Sequence, residues 1–136
     1  MEISTKTQAI MSAMPMTYED YTVAWICALP LEAAASKMML DKTHPQLSQP
    51  TAIAGDDNSY MLGEISGHSI VIACLPSGAY GTIPAATVAA HMLTTFPSIR
   101  FGLMVGIGGG VPSITDDIRL GDVVVSKPTD VLGGVV

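Results

Sequence analysis

Three short stretches of this sequence carry residues able to do chemistry. The most conspicuous is "FGLMVGIGGGVPS" (101–113), in which an apolar run feeds into Gly106, Gly108, Gly109 and Gly110. Bare backbone of this kind either lets the main chain approach a ligand or makes a turn with positive φ. A dinucleotide fingerprint would need a further glycine where Val111 stands and a helix after it, and Pro112 follows instead. A phosphate-binding P-loop would need Gly-Lys-Ser/Thr, which is also missing. What remains is a row of backbone N–H groups able to hold an anion or a sugar hydroxyl in a concave nest. The second stretch, "LPLEAAA" (29–35), puts the carboxylate of Glu32 in the first turn of an expected helix, where the helix dipole favours it. The third, "LPSGAYG" (75–81), offers the Ser77 hydroxyl beside Gly78 in a turn.

The elements around these stretches place them alike. "YTVAWICAL" (21–29) is short, β-branched and apolar, as a strand buried on both faces would be. Pro30 then opens a helix over "LEAAASKMML", since proline is tolerated where the N–H would be unpaired anyway. "HPQLSQPTAIAGDDNS" (44–59) reads as a surface loop. "YMLGEI" and "HSIVIACL" flank "SG", the pattern of a hairpin with a two-residue turn. "AATVAAHMLTTF" (85–96) is expected as a helix ended by Pro97, "IRFGLMVGI" (99–107) as a strand, and "LGDVVVS" (120–126) as another. Strands alternating with helices imply an α/β fold, a mostly parallel or mixed twisted sheet with flanking helices and an inserted hairpin. Ligands in such sheets bind beyond the carboxyl ends of the strands, and all three stretches fall at such ends.

Composition narrows the partners. In 136 residues, 49% are hydrophobic and 13% charged, well under the roughly 25% of an ordinary domain. Part of the surface is therefore expected to be covered by more chain or by another subunit. A net charge of −6 argues against a nucleic-acid partner, whose phosphates need Lys and Arg. Cys27 and Cys74 make no metal-ligand spacing and read as inert buried thiols; no metal and no cofactor is expected. Residues 1–20 read as a flexible lead-in without the features of a secretory signal. No apolar run reaches the roughly 18 residues that span a bilayer, so the expectation is a soluble, cytoplasmic chain.

The motifs "VAWICALPLEAAA", "LPSGAYGTIPAATVAAHML" and "FGLMVGIGGGVPSITDDIRLGDVVVS" together resemble the first half of the nucleoside phosphorylase and nucleosidase superfamily. The resemblance covers most of residues 21–126 and rests most specifically on the glycine loop followed by Leu-Gly-Asp-Val-Val-Val. The wording is especially similar to the domain at the N-terminus of many fungal multidomain receptor-like proteins with nucleotide-binding and repeat regions. It implies a phosphorylase-like three-layer sandwich over residues 21–136, truncated after its first half. It also implies cleavage of the N-glycosidic bond of a purine or related nucleoside, by water or by phosphate.

Such a reaction passes through a sugar cation, so a site must place a nucleophile, stabilise the cation and protonate the leaving base. By resemblance Glu32 is the catalytic residue, matching a glutamate that activates water in the nucleosidase branch. Ala28, Leu29, Ser77, Gly78, Gly106, Ile107, Gly108 and Gly109 are the substrate-facing candidates. Two positions depart from the family: Ile107 stands where many members have serine, and Met104 where some phosphorylases have a phosphate-binding arginine. Loss of hydroxyl and guanidinium removes the strongest anion-holding groups and disfavours phosphate as nucleophile. The base-protonating acid belongs to the family's second half, and no Asp of residues 1–136 matches its motif. Expected partners are a small nucleoside or phosphate, a second copy of the chain, or attached signalling domains. The alternatives are an inactive nucleoside-sensing module of a larger signalling protein and a non-functional truncation.

Overall fold

The computed structural model describes residues 15–47 and 55–126. Its contacts divide the chain at Gly106/Ile107 into two compact units.

The first unit is built on β1 (Val23–Cys27), the central strand expected from its apolar, β-branched residues. Its side chains alternate between two cores. Ala24 and Ile26 pack with Leu62, Val71, Ala73, Val88, Met92 and Phe96, whereas Cys27 packs with Ala33, Ile70 and Ile72. α1 (Pro30–Met38) follows after two residues and supplies Ala33 to the second core. A short strand, β2 (Lys42–Thr43), leads to β3 (Tyr60–Ile65) and β4 (His68–Cys74). The hairpin between them turns on Ser66 and Gly67, both left-handed at φ 48° and 80°, as a type I′ turn requires. α2 (Thr82–Thr95) supplies Val88 and Met92 to the first core, and β5 (Phe101–Met104) ends the unit.

Among the described residues five strands form one sheet in the order β2-β3-β4-β1-β5. β1 runs parallel to both β4 and β5, while β2-β3 and β3-β4 are antiparallel. With α1 and α2 feeding opposite cores, the unit is a mixed α/β sheet between helices, the expected fold class.

The structure departs from expectation in three places. α2 begins at Thr82 rather than after Pro84, because a first-turn N–H has no helical acceptor and proline loses nothing there. The stretch expected as a lead-in lies outside the described residues up to 14, but Tyr18–Asp20 form a 3₁₀ turn and the Tyr18 ring lies 5.2 Å from Phe96. "LGDVVVS" forms no strand: Val123, Val124 and Val125 are 88, 74 and 82% exposed. β propensity alone does not make a strand without a neighbour to complete its ladder.

The second unit, described to residue 126, is held by local polar bonds. Asp116 N–H donates to Ser113 Oγ at 2.9 Å, and Arg119 N–H donates to Asp122 Oδ2 at 2.8 Å. The Arg119 guanidinium pairs with Asp117, its Nε 2.9 Å from Oδ2. The carboxylate of Asp122 therefore caps a turn rather than a strand edge.

Candidate functional site

Parallel pairing brings the ends of three strands to one edge of the first unit. Val105 N–H donates to Ile26 O and Leu75 N–H to Cys27 O, each at 2.9 Å, so both neighbours remain locked to β1 through its last residues. The chain then leaves the sheet at Ala28 and Leu29. Their N–H groups have no further strand to bond, and both donate to Glu32 Oε2 at 2.9 Å. Glu32 occupies the third position of α1 and reaches back over the helix start, one half of a capping box. Leu29, at the cap itself, has no side-chain acceptor to complete the other half.

This geometry buries the carboxylate, leaving Glu32 8% exposed. Gly106, two residues beyond β5, lies directly against it. A Cβ on Gly106 would stand 2.7 Å from Glu32 Oε1 and 3.0 Å from Cδ. Gly106 is thus bare because the carboxylate occupies the space a side chain would need. A charge fixed at this rim also acts on the thiols beside it. Burial pushes Cys27 up, the neighbouring Ser36 and Trp25 side chains oppose it, and Glu32 reinforces it. Cys74 is raised by burial and then by the charges of Cys27 and Glu32.

Among the expected site residues, Ala28, Leu29, Glu32 and Gly106 converge. Ser77 and Gly78 follow β4 and share that end of the sheet, in an exposed turn closed by Ala79 N–H to Pro76 O at 3.0 Å. The φ of Gly78, 81°, is what a type II turn demands at its third residue, so turn geometry alone accounts for the glycine. Ile107, Gly108 and Gly109 belong to the second unit and are exposed. A Cβ at Gly108 or Gly109 would meet nothing within 4 Å, whereas one at Gly110 would stand 2.7 Å from Ile118 Cγ2.

Sequence reasoning missed a second polar centre. Asp56, its side chain 8% exposed, accepts from Tyr60 Oη at 2.7 Å, from Asn58 N–H at 3.0 Å and from the Thr95 hydroxyl, with His91 4.0 Å away. It borders a cavity of about 240 Å³ that Tyr18, Gln46 and Phe96 also line. The alternation Asp56, Asn58, Tyr60 in "GDDNSY" hints at one face of an extended segment, but Thr95 comes from α2 and no local pattern announces it. His44 is buried with Nδ1 2.9 Å from the Tyr21 hydroxyl. Among the described residues no group of three or more His, Cys, Asp or Glu is placed to hold a metal ion. No helix among them is long and apolar enough to cross a membrane.

No protein-family model matches the chain, and no solved structure matches it. Over 119 residues the chain is 55% identical to a nucleotide-binding leucine-rich repeat (NLR)-like protein of Hyaloscypha variabilis. The aligned region is 87% of this chain and 12% of that protein. The chain is therefore similar to one part of a fungal NLR-like protein and spans a small fraction of its length.

Proposed function

We propose that this chain supplies the water-activating half of a site that cleaves the N-glycosidic bond of a purine or related nucleoside. The observation that carries the reading is the Glu32 carboxylate, buried at the carboxyl ends of β1 and β5 and pinned by two amides against bare Gly106. Ligands of parallel α/β sheets bind at that edge. On this reading Glu32 accepts a hydrogen bond from water and orients its oxygen toward C1′ of the ribose. The C1′–N bond breaks with its electron pair staying on the base, the water oxygen bonds to C1′ as its proton passes to Glu32, and an acid outside residues 1–136 protonates the base. Water is favoured over phosphate because Met104 and Ile107 bring neither guanidinium nor hydroxyl.

A second reading, a nucleoside-sensing module of a larger signalling protein, draws on the similarity to an NLR-like protein of which the chain spans 12%. Both readings predict saturable binding of adenosine or inosine; only the first predicts release of free base. The test is incubation of the complete translated product of the gene with these nucleosides, followed by chromatography of base and sugar. Ribose rather than ribose 1-phosphate is expected, and Glu32→Gln should lower turnover about 10²–10⁴-fold while leaving nucleoside binding in place. Base release unaffected by Glu32→Gln overturns the catalytic role, and binding without turnover in the wild type favours the sensing module.

A further inference from the structure

The two free cysteines take no part in the site above, but the sheet gives them a relation that their distance in sequence hides. The β1-β4 register sets Cys27 opposite Cys74 at the last pair of the ladder. Both pack into the core beneath α1, so both side chains leave the same face. Neighbouring strands lie about 4.8 Å apart, within the roughly 4.4–6.8 Å Cα separation that a disulfide spans. Cys27 is fully buried, whereas Cys74 is partly exposed and offers a way in.

We propose that Cys27 and Cys74 form a reversible cross-strand disulfide, a thiol switch at the rim that holds Glu32. A hydroperoxide oxidises the more accessible Cys74: its sulfur attacks the distal oxygen, the O–O bond breaks, and a sulfenic acid and an alcohol result. The Cys27 sulfur then attacks the Cys74 sulfur, the S–O bond breaks, and the departing hydroxide takes the thiol proton as water. Two thiols are oxidised and one hydroperoxide is reduced to alcohol and water. Burial keeps both thiols protonated at neutral pH, so the first step is slow and the pair responds to sustained oxidant. Closing the bond must draw the Cβ atoms in to about 3.8 Å, and that strain makes the disulfide easier to reduce. Cys27 immediately precedes the Ala28 and Leu29 amides, so the same movement re-aims the donors of Glu32. The proposal is independent of the reaction assigned to Glu32.

The test is graded oxidation of the full chain with hydrogen peroxide, then alkylation under denaturing conditions and peptide mapping by mass spectrometry. The expected result is simultaneous loss of both alkylatable thiols within single chains, a Cys27–Cys74 cross-linked peptide lighter by two hydrogens, and full recovery with dithiothreitol. Cys27→Ala should convert the product into oxygen adducts on Cys74. Wild-type chains that keep both thiols, that accumulate oxygen adducts on Cys74, or that link between chains would each overturn the proposal. Mapping of the wild type decides the matter even where the variant fails to fold.

Discussion

β4 and β5 flank the same strand, run in the same direction and are both written in apolar residues, yet their fates differ. Ile70, Val71, Ile72 and Ala73 of β4 are 0–6% exposed, whereas Phe101, Leu103 and Met104 of β5 are 65, 48 and 61% exposed. β4 has β3 on one side, β1 on the other, and cores on both faces. Among the described residues β5 pairs with β1 alone and belongs to neither core. Hydrophobicity states what a strand can bury; its neighbours decide what it does bury.

The sharpest way to break that comparison is to delete equivalent bulk from each strand. Ile72→Ala removes a fully buried side chain and should cost about 2–5 kcal/mol. Leu103→Ala, at a half-exposed edge, should stay within about 1 kcal/mol. Urea denaturation of the two variants beside the wild type measures both. Equal losses would mean that β5 is covered in solution and that the contrast between the strands is false.

The next effect tests the contact between Gly106, just beyond β5, and Glu32, in the helix that follows β1. Gly106→Ala puts a methyl 2.7 Å from Glu32 Oε1, and Oε2 is tied to two amides, so the carboxylate cannot swing away without losing them. The cost is about 1–3 kcal/mol, that of breaking hydrogen bonds to a buried charge. Glu32→Ala removes the obstacle, so the penalty of Gly106→Ala should largely vanish in that background, a coupling measurable by a double-mutant cycle. Additive losses would show that Gly106 is bare for some other reason.

Much of this arrangement was legible in the sequence because it is local. Pro30 after an apolar run marks the strand-to-helix turn, Ser66-Gly67 marks the hairpin, and the parallel alternation carries Glu32 and Gly106 to one edge. Within the glycine loop, composition could not say which glycines matter. Gly106 and Gly110 are required by a side chain lying against each, Glu32 and Ile118, while Gly108 and Gly109 face open space. The strand expected over 120–126 was read from its valines, whose propensity says nothing about a pairing partner. Asp56 stayed hidden for the opposite reason, since its partners lie as far apart in the chain as Asn58 and Thr95.

The smallest expected effect concerns how the buried side of the sheet is fastened. Asp56 joins the segment before β3 to the last turn of α2 through Tyr60 and Thr95. Burial alone would raise its carboxyl, but hydrogen bonds from Thr95, Tyr60 and the Asn58 N–H, with the His91 charge, outweigh it and hold the group below its ordinary value. A lowered folded-state value means that the native protein gains stability once pH exceeds the unfolded value of about 3.9, and loses it as pH falls through the folded one. Asp56→Asn keeps the size and one acceptor oxygen, so its cost at neutral pH should be about 1 kcal/mol, that of one hydrogen bond. The gap between wild type and variant should narrow as pH falls from the unfolded value of about 3.9 through the lower folded one. Thermal melts of both proteins from neutral pH downward read it directly. A gap that stays constant with pH would mean that shape, not charge, fastens α2 to the β3 side, and the buried half of the comparison would then rest on packing alone.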